Sequence, residues 1–180
     1  MRAPAEMFLQ KNRWVNPETG EQSRYHVDES IRPHKAIGSE GETPLNYGID
    51  HSLRLVIAIG QGVLTDSDVF GYQRDVWSRQ DVAGYNELVD MTWVTQIALP
   101  SADRVRDLAE VAAAMDDKST RSKFAIVATA DVAFGLGRMF QSYREVMEQS
   151  TKEVGVFRTM EEALSFPGIN GPLSLDWGPR

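Results

Sequence analysis

The 180-residue chain contains no cysteine. That excludes a disulfide framework, a thiolate metal site and a cysteine nucleophile, and it agrees with a reducing compartment. Long apolar runs are missing too. No stretch approaches the roughly 20 apolar residues that span a bilayer, and the first ten residues offer only Met7-Phe8-Leu9, well short of a signal-peptide core. The expectation is a cytoplasmic protein without membrane insertion. Positive charge is scarce, with 19 Lys and Arg against 26 Asp and Glu and a net charge of −7. Nucleic-acid binders need clustered cations to displace phosphate counterions, so no nucleic acid is expected as partner. Histidine is limited to His26, His34 and His51. With Asp28 and Asp50 they show neither the spacing nor the helical placement of metal ligands, and no Ser-His-Asp arrangement is readable. Neither a metal nor a cofactor is expected.

What is present is ordinary globular composition, 42% hydrophobic and 25% charged, in a length that suits one domain with an extension. Residues 1–44 are polar, carry Pro4, Pro17, Pro33 and Pro44, and read as an N-terminal arm. Within it Asn16-Pro17-Glu18-Thr19-Gly20 has the residues of a tight turn, which predicts a hairpin over 11–27 pairing Arg13-Trp14-Val15 with Ser23 to Val27.

From Leu45 strands and helices alternate. Leu45 to Ile49 and Leu53 to Ile59 read as adjacent strands. A first helix opens at Thr65 with a capping-box spacing to Asp68, presents Val69, Tyr72, Val76 and Trp77 on one face, and should end near Gln80. A third strand, Asn86 to Met91, leads through a loop to a helix beginning at Ser101, with Val105, Leu108, Ala109, Ala112 and Met115 at helical spacing. The fourth strand is Lys123 to Ala128. The longest helix runs from Asp131 to about Gln149 with a stripe of Leu136, Met139, Phe140, Tyr143, Val146 and Met147. Val154 to Phe157 reads as a fifth strand, and Thr159 to Phe166 as a last helix capped by Thr159 and Glu162. A tail, 168–180, should be loose. Strands separated by helices need crossover connections, hence an α/β domain over 45–167 with a mostly parallel sheet of about five strands covered by about four helices.

Four segments carry a resemblance: Tyr47-Gly48-Ile49-Asp50-His51-Ser52-Leu53-Arg54-Leu55-Val56; Leu88-Val89-Asp90-Met91; Ala130-Asp131-Val132-Ala133-Phe134-Gly135-Leu136-Gly137-Arg138-Met139-Phe140; and Val156-Phe157-Arg158-Thr159-Met160-Glu161-Glu162-Ala163-Leu164. In these the chain resembles the STAS family of anti-sigma factor antagonists, and more narrowly the SpoIIAA-like group of small bacterial proteins. The resemblance covers about residues 45–167. It implies protein binding, signalling or ligand sensing and no defined reaction. Classical members carry a phosphorylatable serine in an Asp-Ser-Ser-Gly type motif at the second helix. The matching stretch here, Asp90 to Ser101, lacks that motif, leaving Ser101 as a candidate phosphosite or a plain N-cap.

Ligands of open α/β sheets gather beyond the carboxyl ends of the strands. Gln61, the run Asp90 to Thr92, and Thr129 to Asp131 are expected there. Asp90 and Asp131 admit two readings, an acid/base pair or a loop-amide acceptor and a helix cap. Gly135, Gly137 and Arg138 admit an anion-binding turn or close helix packing. Trp77 fits a core face, while Trp14, Trp93 and Trp177 fall in arm, loop and tail, where an aromatic can anchor a partner. The sequence-level reading is a non-enzymatic regulatory or interaction module that binds a protein partner or itself. Its candidate contacts are Gln61, Asp90, Thr92, Trp93, Thr129, Asp131 and Arg138. A sensor of a small apolar or lipid-like ligand, and an enzyme using Asp90 and Asp131, are the alternatives.

Overall fold

The computed structural model describes residues 44–98 and 101–169 in full, and residues 8–10, 13–15, 22–26 and 176–177 by their backbone alone. His34, Asp28 and Pro100 lie outside the described residues, as do the side chains of Trp14, His26 and Trp177. In the arm, β1 (Phe8–Gln10), β2 (Arg13–Val15) and β3 (Gln22–His26) form an antiparallel sheet in that order, with Arg13 opposite His26.

The body is a sheet of five longer strands and one short one. β4 (Leu45–Asp50) turns back at residues 51–54 into β5 (Leu55–Thr65). The turn is held locally, because Asp50 Oδ1 accepts from the amides of Ser52 and Leu53 at 3.0 Å each and from the Ser52 hydroxyl at 2.6 Å. This is the usual way an Asp at a strand end bends the chain. Helix α1 (Asp66–Trp77) follows, and its Thr65 and Asp68 make the expected capping box. A short 3₁₀ turn, Gln80–Val82, leads into β6 (Asn86–Ala98). Helix α2 (Ala102–Met115), β7 (Ser122–Val127), α3 (Asp131–Glu145), β8 (Lys152–Phe157), α4 (Met160–Ser165) and β9 (Asp176–Trp177) complete the order. The strands lie β8-β7-β6-β5-β4-β9, parallel from β8 to β5 and antiparallel from β5 to β9. The fold class is therefore the expected mostly parallel α/β sheet with four helices.

Alternation along the strands assigns the helices to faces. Ala58, Val89, Phe124, Ile126, Val154 and Val156 point to one side and pack with α2 and α3, while Val56 on that side packs with α1. Leu55, Ile57, Leu88, Ala125 and Val127 point to the other and pack with Met160, Ala163 and Leu164 of α4. Central strands are thus covered on both sides, which explains why β7 is apolar without a break from Phe124 to Val127. Burying a side chain such as Leu88 is worth about 1.5–3 kcal/mol, and Leu55, Leu64, Leu88 and Leu164 are all fully buried.

Three elements differ from the sequence reading. β5 does not stop at Ile59, nor β6 at Met91; the two continue as a parallel ribbon to Thr65 and Ala98. Gly60-Gln61-Gly62 looks like a turn in sequence, yet Gly62 at φ +63° serves a register shift and the pairing resumes beyond it. α3 ends at Glu145, so Val146 lies outside the stripe and is exposed. The tail also contributes to the body. Ile169 is buried against the α4 face, and β9 pairs with β4 at Gly48 and Ile49.

Candidate functional site

The sequence-derived candidates separate into groups. Gln61 and Trp93 are register partners at the base of the β5–β6 ribbon, and Asp90 stands beside them, opposite Ile59 on one side and Val127 on the other. Trp93 is half-exposed. Asp90 is buried, with Oδ1 accepting from the Thr92 amide at 2.9 Å and Oδ2 without a hydrogen-bond partner. Burial pushes its carboxyl above the ordinary range, only partly opposed by the Thr92 hydrogen bonds.

Thr129 and Asp131 form a second group, both held by Arg158, which donates to the Thr129 carbonyl at 2.6 Å and to Asp131 Oδ1 at 2.7 Å. The Asp131 side chain is almost fully exposed, and α3 is capped by the Ala130 backbone with no side-chain bond. Asp90 and Asp131 therefore engage separate partners, one buried with Thr92 and one outside with Arg158. Elsewhere, Ser101 accepts from the Arg104 amide at 3.4 Å as the N-cap of α2. Arg138 donates to Gln141 at 2.7 Å on the exposed side of α3. Gly135 and Gly137 lie past the first turn of α3, where amides serve the helix itself. A Cβ on Gly137 would come within 3.1 Å of Val156, so the absent side chain lets α3 lie close on β8.

The groups that the sequence reading passed over are buried under α1 and α3. Glu87 of β6 shares the helix-covered face with Val89 and is almost completely enclosed. Its Oε1 accepts from the Tyr72 hydroxyl at 2.8 Å and from Trp77 Nε1 at 3.1 Å, and its Oε2 accepts from Lys152 Nζ at 3.1 Å. The ammonium also sits over the Trp77 ring, 3.1 Å from its centre. Burial drives the Lys152 pKa down, and the neighbouring Glu87 charge works against that. Burial, reinforced by Glu87, holds the Tyr72 phenol well above its usual value, so it stays a donor. The Lys152 amide belongs to a second buried cluster. Asp116 Oδ2 accepts from it at 3.0 Å, from the Thr151 amide at 2.8 Å and from Arg144. With three donors each, the Glu87 and Asp116 carboxylates are fully engaged by partners within the fold.

Next to Glu87 a cavity of about 100 Å³ lies between the sheet and α1, α2 and α3. Its walls are mainly apolar, with Leu64, Met91, Leu108, Phe124, Leu136 and Phe140 prominent, and Tyr72, Gln73 and Glu87 supply the polar atoms. The sequence carries a weak signal for Glu87 alone, a charge inside a strand between the apolar alternate neighbours Tyr85 and Val89, whereas Lys152 precedes the strand read at Val154 to Phe157. Among the described residues no group of His, Asp and Glu is placed to hold a metal ion, and no helix is long and apolar enough to cross a membrane.

No family model matches the chain, and no curated protein matches it. Among solved structures it is similar to an uncharacterized protein of the DUF3478 family with a SpoIIAA-like fold from Shewanella loihica PV-4. The two share 19% identity over 72% of this chain and 98% of that one, with a TM-score of 0.46.

Proposed function

We propose that the protein is a non-enzymatic regulatory module of the cytoplasm that binds a protein partner along the edge of β6 that no described strand covers. One observation carries this reading. The β6–β7 ladder ends at Asp90 and Val127, yet β6 runs on to Ala98. The overhanging residues 91–98 contain no charged side chain, and Trp93, Thr95, Gln96 and Ala98 are exposed along them. Proteins ordinarily guard such an edge with charge, proline or a covering element. An uncharged edge with an exposed tryptophan is suited to adding an extended segment as one more strand, the backbone giving affinity and the tryptophan an anchor. The fitting partner is an extended, uncharged segment with β-branched or aromatic side chains. Thr92 and Trp93 would then be contact residues, with Asp90 buried behind them and Gln61 on the far side of β6, in β5.

The test is native mass spectrometry of the protein isolated gently from its own cells, beside Trp93→Ala and Thr95→Lys variants. A heavier complex that both substitutions dissolve is expected. A bare monomer for the unsubstituted chain sinks the proposal, and a homodimer assigns the edge to a second copy.

A further inference from the structure

The β5–β6 ribbon is neutral on both strands. From Leu55 to Thr65 and from Met91 to Ala98 no side chain is charged, in a chain whose net charge is −7. The first acid past the ribbon, Asp66, is matched by Arg104 at 2.7 Å. Val63 and Trp93, two of the four large apolar residues exposed among the described residues, both lie on this ribbon. Their neighbours Leu64 and Val94 are buried beneath the helices, so alternation turns Val63 and Trp93 to the opposite face. The overhang also has every property required of a segment that would pair with it. Met91 to Ala98 is already a strand, it is uncharged, and it carries β-branched Thr92, Val94, Thr95 and Ile97 beside Trp93.

We propose that the occupant of the β6 edge is the same edge of a second copy, running antiparallel about a two-fold axis near Thr95. The assignment rests on the reading of β6 as a docking strand. Two-fold pairing needs a surface that complements itself, and one extended neutral segment laid against its own copy meets that need. Charge selects the place. Two chains of net charge −7 repel one another in most approaches, and the ribbon is a stretch where they meet with no like charges opposed. Both strands are formed beforehand, so little ordering is lost on pairing. An antiparallel edge pair has its axis perpendicular to the sheet, which puts Val63 and Trp93 of both copies on one face of a continuous four-stranded ribbon. The length sets the strength. Eight residues a side, Met91 to Ala98, against roughly 20–30 in a standard interface, give a dimer that dilution dissociates.

Sedimentation velocity of the purified full chain, from about 1 μM to about 1 mM, reads the state. A monomer-to-dimer transition within that range is expected. Thr95→Lys and Thr95→Glu should each move it about tenfold or more to higher concentration, because like charges then face one another across the axis. An equal mixture of the two variants should restore the dimer. Gln96→Lys and Gln96→Glu repeat the cycle should the Thr95 variants not fold. A chain that stays monomeric throughout overturns the second copy. In that event a heavier complex from cells that Trp93→Ala dissolves assigns the edge to a foreign segment, and its absence removes the docking strand as well. A dimer indifferent to the folded charge variants overturns its location, and a mixture no better than either variant alone overturns the two-fold pairing.

Discussion

Lys152 Nζ lies 3.1 Å from Glu87 Oε2 although 65 residues separate the two in sequence. Both are buried, so the pair tolerates joint removal far better than the loss of one member. Lys152→Met strands the carboxylate and should cost about 3–5 kcal/mol. The double variant Glu87→Gln, Lys152→Met should recover most of that loss. Urea unfolding of the two proteins checks this, and a double variant no more stable than the single one would refute it.

Asp90 gives a pH dependence. Its carboxyl is raised in the folded state by burial, so its folded pKa exceeds its unfolded one. The protonated form fits the fold, and its contribution is complete below the unfolded pKa and is lost as pH rises through the folded value. Asp90→Asn imitates the protonated form and should stabilise the protein at neutral pH by about 1 kcal/mol, with little gain at pH 4. Unfolding midpoints across that interval decide the matter; a variant less stable than the parent at pH 7 would contradict it.

Asp116 stitches the end of α2 to the start of β8 through Arg144 and the amides of Thr151 and Lys152. Asp116→Ala should destabilise by about 3 kcal/mol or more, since it leaves a buried guanidinium unmatched. Hydrogen exchange should accelerate first at the Thr151 and Lys152 amides. Unchanged protection at those two positions would mean that the carboxylate is not what holds them.

Two glycines with positive φ separate strain from crowding. Gly62 has open space where a Cβ would stand, whereas at Gly84 it would lie 2.8 Å from Thr120 Cβ and 2.9 Å from Asp117 Oδ2. Gly62→Ala should cost about 1–2 kcal/mol for the backbone alone, and Gly84→Ala clearly more. Thermal unfolding of the pair ranks them, and the reverse order would show that the Gly84 turn yields.

Much of the body was legible because its signals are local. Thr65 with Asp68, Ser101, and Thr159 with Glu162 mark helix starts through contacts three residues apart, and the same contacts are in the structure. The β5–β6 ribbon was not legible. Gly60 and Gly62 resemble turn residues, and only the neighbouring strand shows that they serve a bulge. The buried charges were hidden for a related reason. Glu87 and Lys152 look like solvated residues until a crossover brings their strands together, and Tyr72 and Trp77 look like plain core positions because their polar atoms meet Glu87 only in three dimensions. Of the proposed binding residues, Trp93 was visible as an aromatic outside the core pattern.

The position of β9 bears on how the chain is made. β4 and β5 can pair once β5 has followed the short connection at 51–54 out of the ribosome, but among the described strands the outer side of β4 receives its partner only when Asp176 and Trp177 arrive. At cellular synthesis rates of about 5–20 residues per second, that leaves the edge open for on the order of ten seconds. Through that interval the nascent hairpin lacks its β9 pairing, which is the period when a neighbouring chain on one polysome can reach that edge.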